Sequence, residues 1–272
     1  MLNERPQETI RAYRLRFYPT LTQGRQLAGE FGNSRWVWNF ALGAKSDAWR
    51  ERNERLSLVE VSRWLTEIKR DWLPWLRDTA STTATQALRD LDTAFRAFFE
   101  KRARYPRFKR RRTEQAVRYQ VDPRLKNNFV PGVRLGLPLL GPLKVVWSQV
   151  PKNRPKMVTV KRDAAGRYWV CFSVEEKVAS LPHPRRASAG VDMGLNYSIA
   201  LSDGTTIEAP RHQERDQRLL AHRQRTVSRR RKGSERRKDA VHRVARVHQR
   251  IRDRRQGFLH DQPRSREPSD RG

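Results

Sequence analysis

One stretch of fifteen residues limits the fold of this chain more than any other: Gly190 to Gly204, GVDMGLNYSIALSDG. It reads as a short strand ending on a single acidic residue, Asp192, followed by a tight turn at Gly194. A second strand over Ser198 to Ser202 is closed by a Ser-Asp-Gly turn, and Thr205 to Ala209 returns as a third. Connections this short join neighbouring strands antiparallel. The segment therefore predicts a three-stranded antiparallel sheet whose first strand carries the carboxylate.

Charge sets the class of partner. The chain carries 59 Lys plus Arg against 29 Asp plus Glu, a net charge of +30 over 272 residues. A compact molecule so charged repels itself unless a polyanion neutralises it. Arg outnumbers Lys, and its planar fork matches phosphate oxygens in pairs and stacks on bases. Nucleic acid is the expected counterpart. No apolar run approaches the roughly 18 residues of a spanning helix, so no membrane partner is expected. The single cysteine, Cys171, excludes internal disulfides and cysteine-rich zinc sites within these residues. The first ten residues, MLNERPQETI, lack the apolar core of a secretory signal. A prokaryotic cytoplasmic, nucleoid-associated location is the expectation.

Periodicity divides the rest. Tyr13, Leu15 and Phe17 alternate with Arg14 and Arg16, a half-buried strand with a basic outer face, ended by Pro19. Thr20 to Gln23 and Ser57 to Glu60 read as capping boxes that open helices. A further helix is expected from Ser34 to about Arg55, striped by Val37, Phe40, Ala41, Ala44 and Ala48, and another from Ser81, striped by Leu88, Leu91, Phe95, Phe98 and Phe99. Core packing explains most of these aromatics; Trp36 and Trp38 are the ones that could instead stack on bases.

Residues 116–178 read as strands. Val133, Leu135 and Leu137 form one, Leu143 to Trp147 another, and Met157 to Val174 a hairpin turning at Asp163 to Gly166. In the second arm Tyr168, Val170, Phe172 and Val174 share one face, while Trp169 and Cys171 share the other. Both faces are apolar, which predicts a central, buried strand with Cys171 as a core thiol rather than a nucleophile. Residues 175–189 read as a linker.

Two clusters carry the charge. Lys109, Arg110, Arg111 and Arg112 lie together after Pro106, and Arg229, Arg230, Arg231, Lys232, Arg236, Arg237 and Lys238 surround Gly233-Ser234. Such clusters contact phosphates more often than they read bases. Between Arg211 and Arg255 there are 18 Arg or Lys and 5 Asp or Glu. There Val241, Val244, His248 and Ile251 mark one narrow apolar stripe on a helix, with a joint at Gly233. The six histidines show no metal-ligand spacing.

Five segments occur in the order seen in one family: YRLRFYPTLTQ at 13–23, FGNSRWVWNFAL at 31–42, YPRFKRRR at 105–112, GVDMGLNYSIALSDG at 190–204 and SRRRKGSERRK at 228–238. The chain resembles the TnpB family of OrfB-type transposases, transposon-encoded RNA-guided DNA endonucleases, over roughly residues 11–260. The resemblance implies an α+β architecture. Residues 1–19 and 105–180 would form an oligonucleotide-binding β-barrel, the wedge, with a helical recognition lobe, 20–104, inserted into it. Residues 186–260 would be an incomplete RuvC-like domain of RNase H fold, followed by a disordered tail, 261–272.

The resemblance also implies a guide RNA and a double-stranded DNA target as partners, and Mg²⁺ as cofactor. Asp192 matches the first catalytic carboxylate and metal ligand. The family's later catalytic Glu and Asp and its four-cysteine zinc ribbon have no counterpart here. The last residues, DQPRSREPSDRG, contain no apolar side chain and two prolines, and are expected not to continue the sheet, as after a frameshift or an early stop. Two-metal phosphodiester chemistry needs several donors around cations about 3.5–4 Å apart, so no cleavage by this chain alone is expected. A nuclease-dead, guide-directed DNA-binding repressor and a non-functional transposase remnant are the alternatives.

Overall fold

The computed structural model describes residues 7–111, 115–121, 124, 128–178, 190–192, 197–202, 204–208 and 212–261. It is a mixed α+β structure of two compact units, Met1–Asp163 with Arg167–Ser180, and Ala164–Gly166 with Leu181–Gly272.

In the first unit, alternation builds the main sheet. Strand β1 (Gln7–Phe17) buries Tyr13, Leu15 and Phe17 and turns Arg14 outward. All eleven of its residues pair antiparallel with the last strand of the unit, β7 (Tyr168–Val178), so the two ends of the unit are zipped together. Strand β7 also pairs with β6 (Met157–Arg162), and β6 with β2 (Gln115–Gln120), in the order β1-β7-β6-β2. A smaller antiparallel sheet contains β3 (Phe129–Val130), β4 (Arg134–Leu137) and β5 (Gly141–Leu143). The apolar stretch after β5 does not form the strand expected over Leu143 to Trp147. It is tied to the end of β1 instead, through Val146 N–H to Arg16 O at 2.8 Å and Tyr18 N–H to Lys144 O at 3.0 Å. Leu135, Leu137 and Leu143 from the small sheet share one core with Val158, Val160, Val170 and Phe172 from the large one.

Strand β7 is central, as its two apolar faces predict, but only one face is buried. Trp169 and Cys171 are half-buried. Guanidinium groups cover the indole: the Arg14, Arg16 and Arg167 carbons lie 4.2, 5.0 and 5.1 Å from its centroid.

The helices open as their capping boxes require. Thr20 and Gln23 cap helix α1 (Leu21–Arg52) reciprocally, and the Gln23 amide also donates to Leu140 O and Pro142 O, both at 2.9 Å. Ser57 and Glu60 do the same for helix α2 (Leu58–Asp71). Helix α3 (Ser81–Phe99) follows a 3₁₀ turn at Pro74–Asp78.

Two helices were expected over residues 20–55, divided near Ser34; there is one, of 32 residues. Ser34 is buried inside it and Asn33 bonds Thr79 Oγ1 across to the start of α3. A capping signature loses to packing when both halves of a helix have a core to join. The first half, through Leu27 and Phe31, packs into the sheet core. The second, through Val37, Trp38, Ala41 and Leu42, packs with Val61 and Leu65 of α2 and Leu88 and Leu91 of α3. At 1.5 Å per residue α1 is about 48 Å long, enough to serve both cores.

Glu30 marks where those cores meet. Its buried carboxylate accepts the Ala80 N–H at 2.9 Å and the Thr83 hydroxyl at 2.8 Å, tying α1 to the start of α3. Burial pushes its pKa above the ordinary carboxylate value against those bonds.

In the second unit, β8 (Val191–Asp192), β9 (Tyr197–Leu201) and β10 (Thr206–Glu208) form the antiparallel sheet expected from residues 190–209, in the order β10-β9-β8. Helices α4 (His212–Ser228) and α5 (Glu235–Asp261) form an antiparallel hairpin around Gly233, whose φ of 89° suits glycine. Arg254 closes its open end on the buried Asp216 at 2.7 Å. The buried side of α5 is Ala240 and Val247, flanked by half-buried Val244 and Ile251, and not the stripe beginning at Val241, which is 48% exposed.

Candidate nucleic-acid interface and the Asp192 strand

The first basic cluster is pinned to α1. Asn39 acts like a neighbouring strand towards Lys109: its Nδ2 donates to Lys109 O at 3.0 Å, and its Oδ1 accepts the Lys109 N–H at 2.7 Å. Trp38 Nε1 donates to Arg107 O at 3.0 Å. Pro106 is buried, and the Tyr105 ring stands edge-on to Phe95 and Phe98. The Lys109 ammonium lies 3.8 Å from the centroid of the Trp38 ring. Lys109 is therefore half-buried over an indole, while Arg110 and Arg111 are exposed together with Arg107 and Phe108. Arg112 lies outside the described residues. Of the two tryptophans considered for base stacking, Trp38 is buried and Trp36 half-buried. Trp38 lies beneath Lys109, and Trp36 stacks on Phe40 with its centroid 5.2 Å away and meets Trp75 edge-on.

The second cluster surrounds the α4–α5 joint. Arg229, Arg230, Arg231, Lys232 and Arg236 are exposed. Arg237 turns inward instead: its guanidinium donates to Val227 O at 2.6 Å, which also accepts the Arg230 N–H at 3.2 Å, and to Arg230 O at 3.0 Å, fastening the end of α4. Lys238 pairs with Glu235 at 2.5 Å. Identical residue types in one run thus divide into outward cations and fasteners of the turn.

A third cationic surface follows from strand register. Arg14 and Arg16 of β1 stand opposite Cys171 and Trp169 of β7, and Arg16 donates to Tyr168 O at 3.1 Å. Arg167 joins them through Asp163. Burial pushes the Asp163 carboxyl up, but the Arg167 backbone N–H and guanidinium and the Trp169 indole outweigh it and hold the group below its ordinary value. The basic outer face of β1 is legible in the sequence. That it meets Trp169 depends on pairing between strands more than 150 residues apart.

Asp192 is exposed at the end of β8, opposite Ala200. Among the described residues, no three His, Cys, Asp or Glu side chains gather where they could hold a metal ion.

Two family models match the chain: "Helix-turn-helix domain" over residues 9–54 and "Probable transposase" over residues 170–264. Residues 9–54 of this chain form a strand and one uninterrupted helix. A Streptomyces pristinaespiralis protein named "Putative RNA-guided DNA endonuclease" is 41% identical over 93% of this chain and 63% of its own length. "Putative RNA-guided DNA endonuclease InsQ" of Escherichia coli K12 is 30% identical over 92% of this chain and 62% of its own. A solved Cas12f1–sgRNA–target DNA complex matches 92% of this chain and 67% of its own, with a TM-score of 0.31 and 10% identity. The two family models and the two curated relatives place the chain among transposases of the OrfB type. It belongs to the TnpB family, and it spans somewhat under two thirds of the curated relatives it matches.

Proposed function

We propose that the chain is the nucleic-acid-holding part of a transposon-associated RNA-guided DNA endonuclease, binding a guide RNA and a double-stranded DNA target. The observation that carries this reading is the 41% identity to a protein of that name across 93% of the chain. The exposed arginines at 107, 110, 111, 229, 230, 231 and 236 support it. In this reading the two sheets sharing one core are the oligonucleotide-binding wedge barrel, with α1 to α3 as the recognition lobe inserted into it. Strands β8 to β10 with α4 and α5 are the start of a RuvC-like nuclease domain. Base pairing to the guide selects the sequence, while protein cations hold backbones.

Asp192 stands in this reading as a first metal ligand, and Mg²⁺ would supply charge neutralisation at a scissile phosphate. One described carboxylate is too few for two cations, so these 272 residues by themselves are expected to bind without cutting. The test is to purify the chain expressed with its transposon-end RNA and add target plasmid and Mg²⁺. The expected result is a discrete co-purifying RNA, RNA-dependent retention of DNA that falls steeply with salt, and no nicking. Cleavage would overturn the incomplete centre. Retention indifferent to salt would overturn nucleic-acid binding.

A further inference from the structure

We infer that the segment at 105–111 is a built platform on which Phe108 stacks an unpaired nucleobase, with Arg107, Arg110 and Arg111 holding the adjoining phosphates. The backbone is fixed on both sides of Phe108. Trp38 holds the carbonyl of Arg107, and Asn39 holds both the N–H and the carbonyl of Lys109. The side chains on the two sides of this pinned stretch have opposite fates. Lys109 folds inward onto Trp38, while Phe108 is left 57% exposed beside three exposed arginines.

An exposed phenylalanine on a loose loop would be unremarkable. Here three hydrogen bonds from α1 hold the loop still, so little side-chain and backbone freedom is lost when a flat ligand arrives. A flat apolar ring in a run of exposed cations matches one chemistry closely: a base face with its phosphates. Stacking of that kind tolerates any base, because every base has a π-face. Bases inside a duplex are already stacked on their neighbours, so the ligand is a base out of pairing.

This inference rests on the nucleic-acid reading above, and its experiment separates the two. Single-stranded RNA and DNA of one sequence, each carrying 2-aminopurine, are titrated into the full chain and its variants, with the matching duplex DNA as a third ligand. Wild-type protein is expected to quench the 2-aminopurine. Phe108→Ala is expected to abolish the quench and weaken single-strand binding about tenfold, while duplex affinity stays within twofold. Phe108→Trp is expected to keep both quench and affinity, and the melting temperature of Phe108→Ala should match wild type because the ring is exposed. Quenching confined to RNA would assign the base to the guide; quenching with both strands would admit displaced DNA as well. Unchanged single-strand binding in Phe108→Ala, or an equal loss for duplex, overturns the platform. A wild-type chain that retains no oligonucleotide at low salt overturns the nucleic-acid reading itself.

Discussion

The two arginine-rich clusters look alike as sequence and behave differently as structure. At 105–111 the backbone is held by side chains of α1, and a lysine is drawn in over Trp38. At 228–238 the relation is reversed: the charged side chains hold the backbone, with Arg237 closing the end of α4. A positive charge is available to a phosphate only when the local fold has no nearer use for it. An indole face or a carbonyl at a helix end is such a use.

That contrast can be broken most decisively at the hairpin. Replacing Arg229, Arg230 and Arg231 together with Ala should lower affinity for unrelated nucleic acids by about a hundredfold. It should also flatten the salt dependence of log K by about 2–3, since each lost phosphate contact removes about 0.9. Loss confined to one target sequence would make these residues base readers. Arg237→Ala should instead destabilise the hairpin by about 0.5–1.5 kcal/mol, through loss of the two hydrogen bonds that fasten the turn, with little change in salt slope. A slope reduced by a full unit at constant stability would show that Arg237 meets phosphate after all.

At the first cluster the expected effects are smaller. Asn39→Ala removes both bonds to Lys109 and should cost about 1–2 kcal/mol in thermal unfolding. Lys109→Ala should cost about 0.5–1 kcal/mol of packing over Trp38 and leave the salt slope unmoved. A slope reduced by about one would place Lys109 on the phosphate-binding side of the comparison.

The smallest effect concerns two buried carboxylates. Burial raises the pKa of Glu30, so the folded state holds its proton more tightly than the unfolded chain. Its contribution is greatest below the ordinary carboxylate pKa and is lost as pH rises through the folded value. Glu176 is the opposite case. The Tyr13 hydroxyl at 2.6 Å and the Lys152 N–H at 3.0 Å depress its pKa, so its contribution is lost as pH falls through the folded value. Melting temperatures from pH 3.5 to 7 should show Glu30→Gln gaining on wild type as pH rises, and Glu176→Gln losing ground. Parallel curves would mean that neither shift exists.

Much of the fold was legible because its signals are local. The capping boxes at Thr20 and Ser57, the alternation of Tyr13, Leu15 and Phe17, and the turns around β9 all act within a few residues. The failures share a cause. Asn33-Ser34 has the chemistry of a helix boundary, yet Asn33 serves α3 and Ser34 is buried within α1. The stripe expected on α5 holds at Val244 and Ile251 but shifts by one residue at 241 and 248, because valines at 241, 244 and 247 offer competing faces and only the packing partner chooses between them. For the candidate site, composition marks the clusters but not which members face outward. Phe108 carried no signal, because its exposure follows from hydrogen bonds made by Trp38 and Asn39 about seventy residues earlier.

The residues by themselves determined a large excess of positive charge, the family motifs, the capped helices and an antiparallel sheet led by Asp192. Charge, caps and turns act through neighbours in the chain, and their physics is complete before the chain is folded. Tertiary structure alone decided that α1 is one helix joining two cores, that arginines cover Trp169, and that Lys109 lies over Trp38 and Arg237 on carbonyls at the end of α4 while Phe108 is presented to solvent. Each depends on which distant group arrives to satisfy a buried face, a carbonyl at a helix end or an exposed ring, and sequence spacing does not encode that.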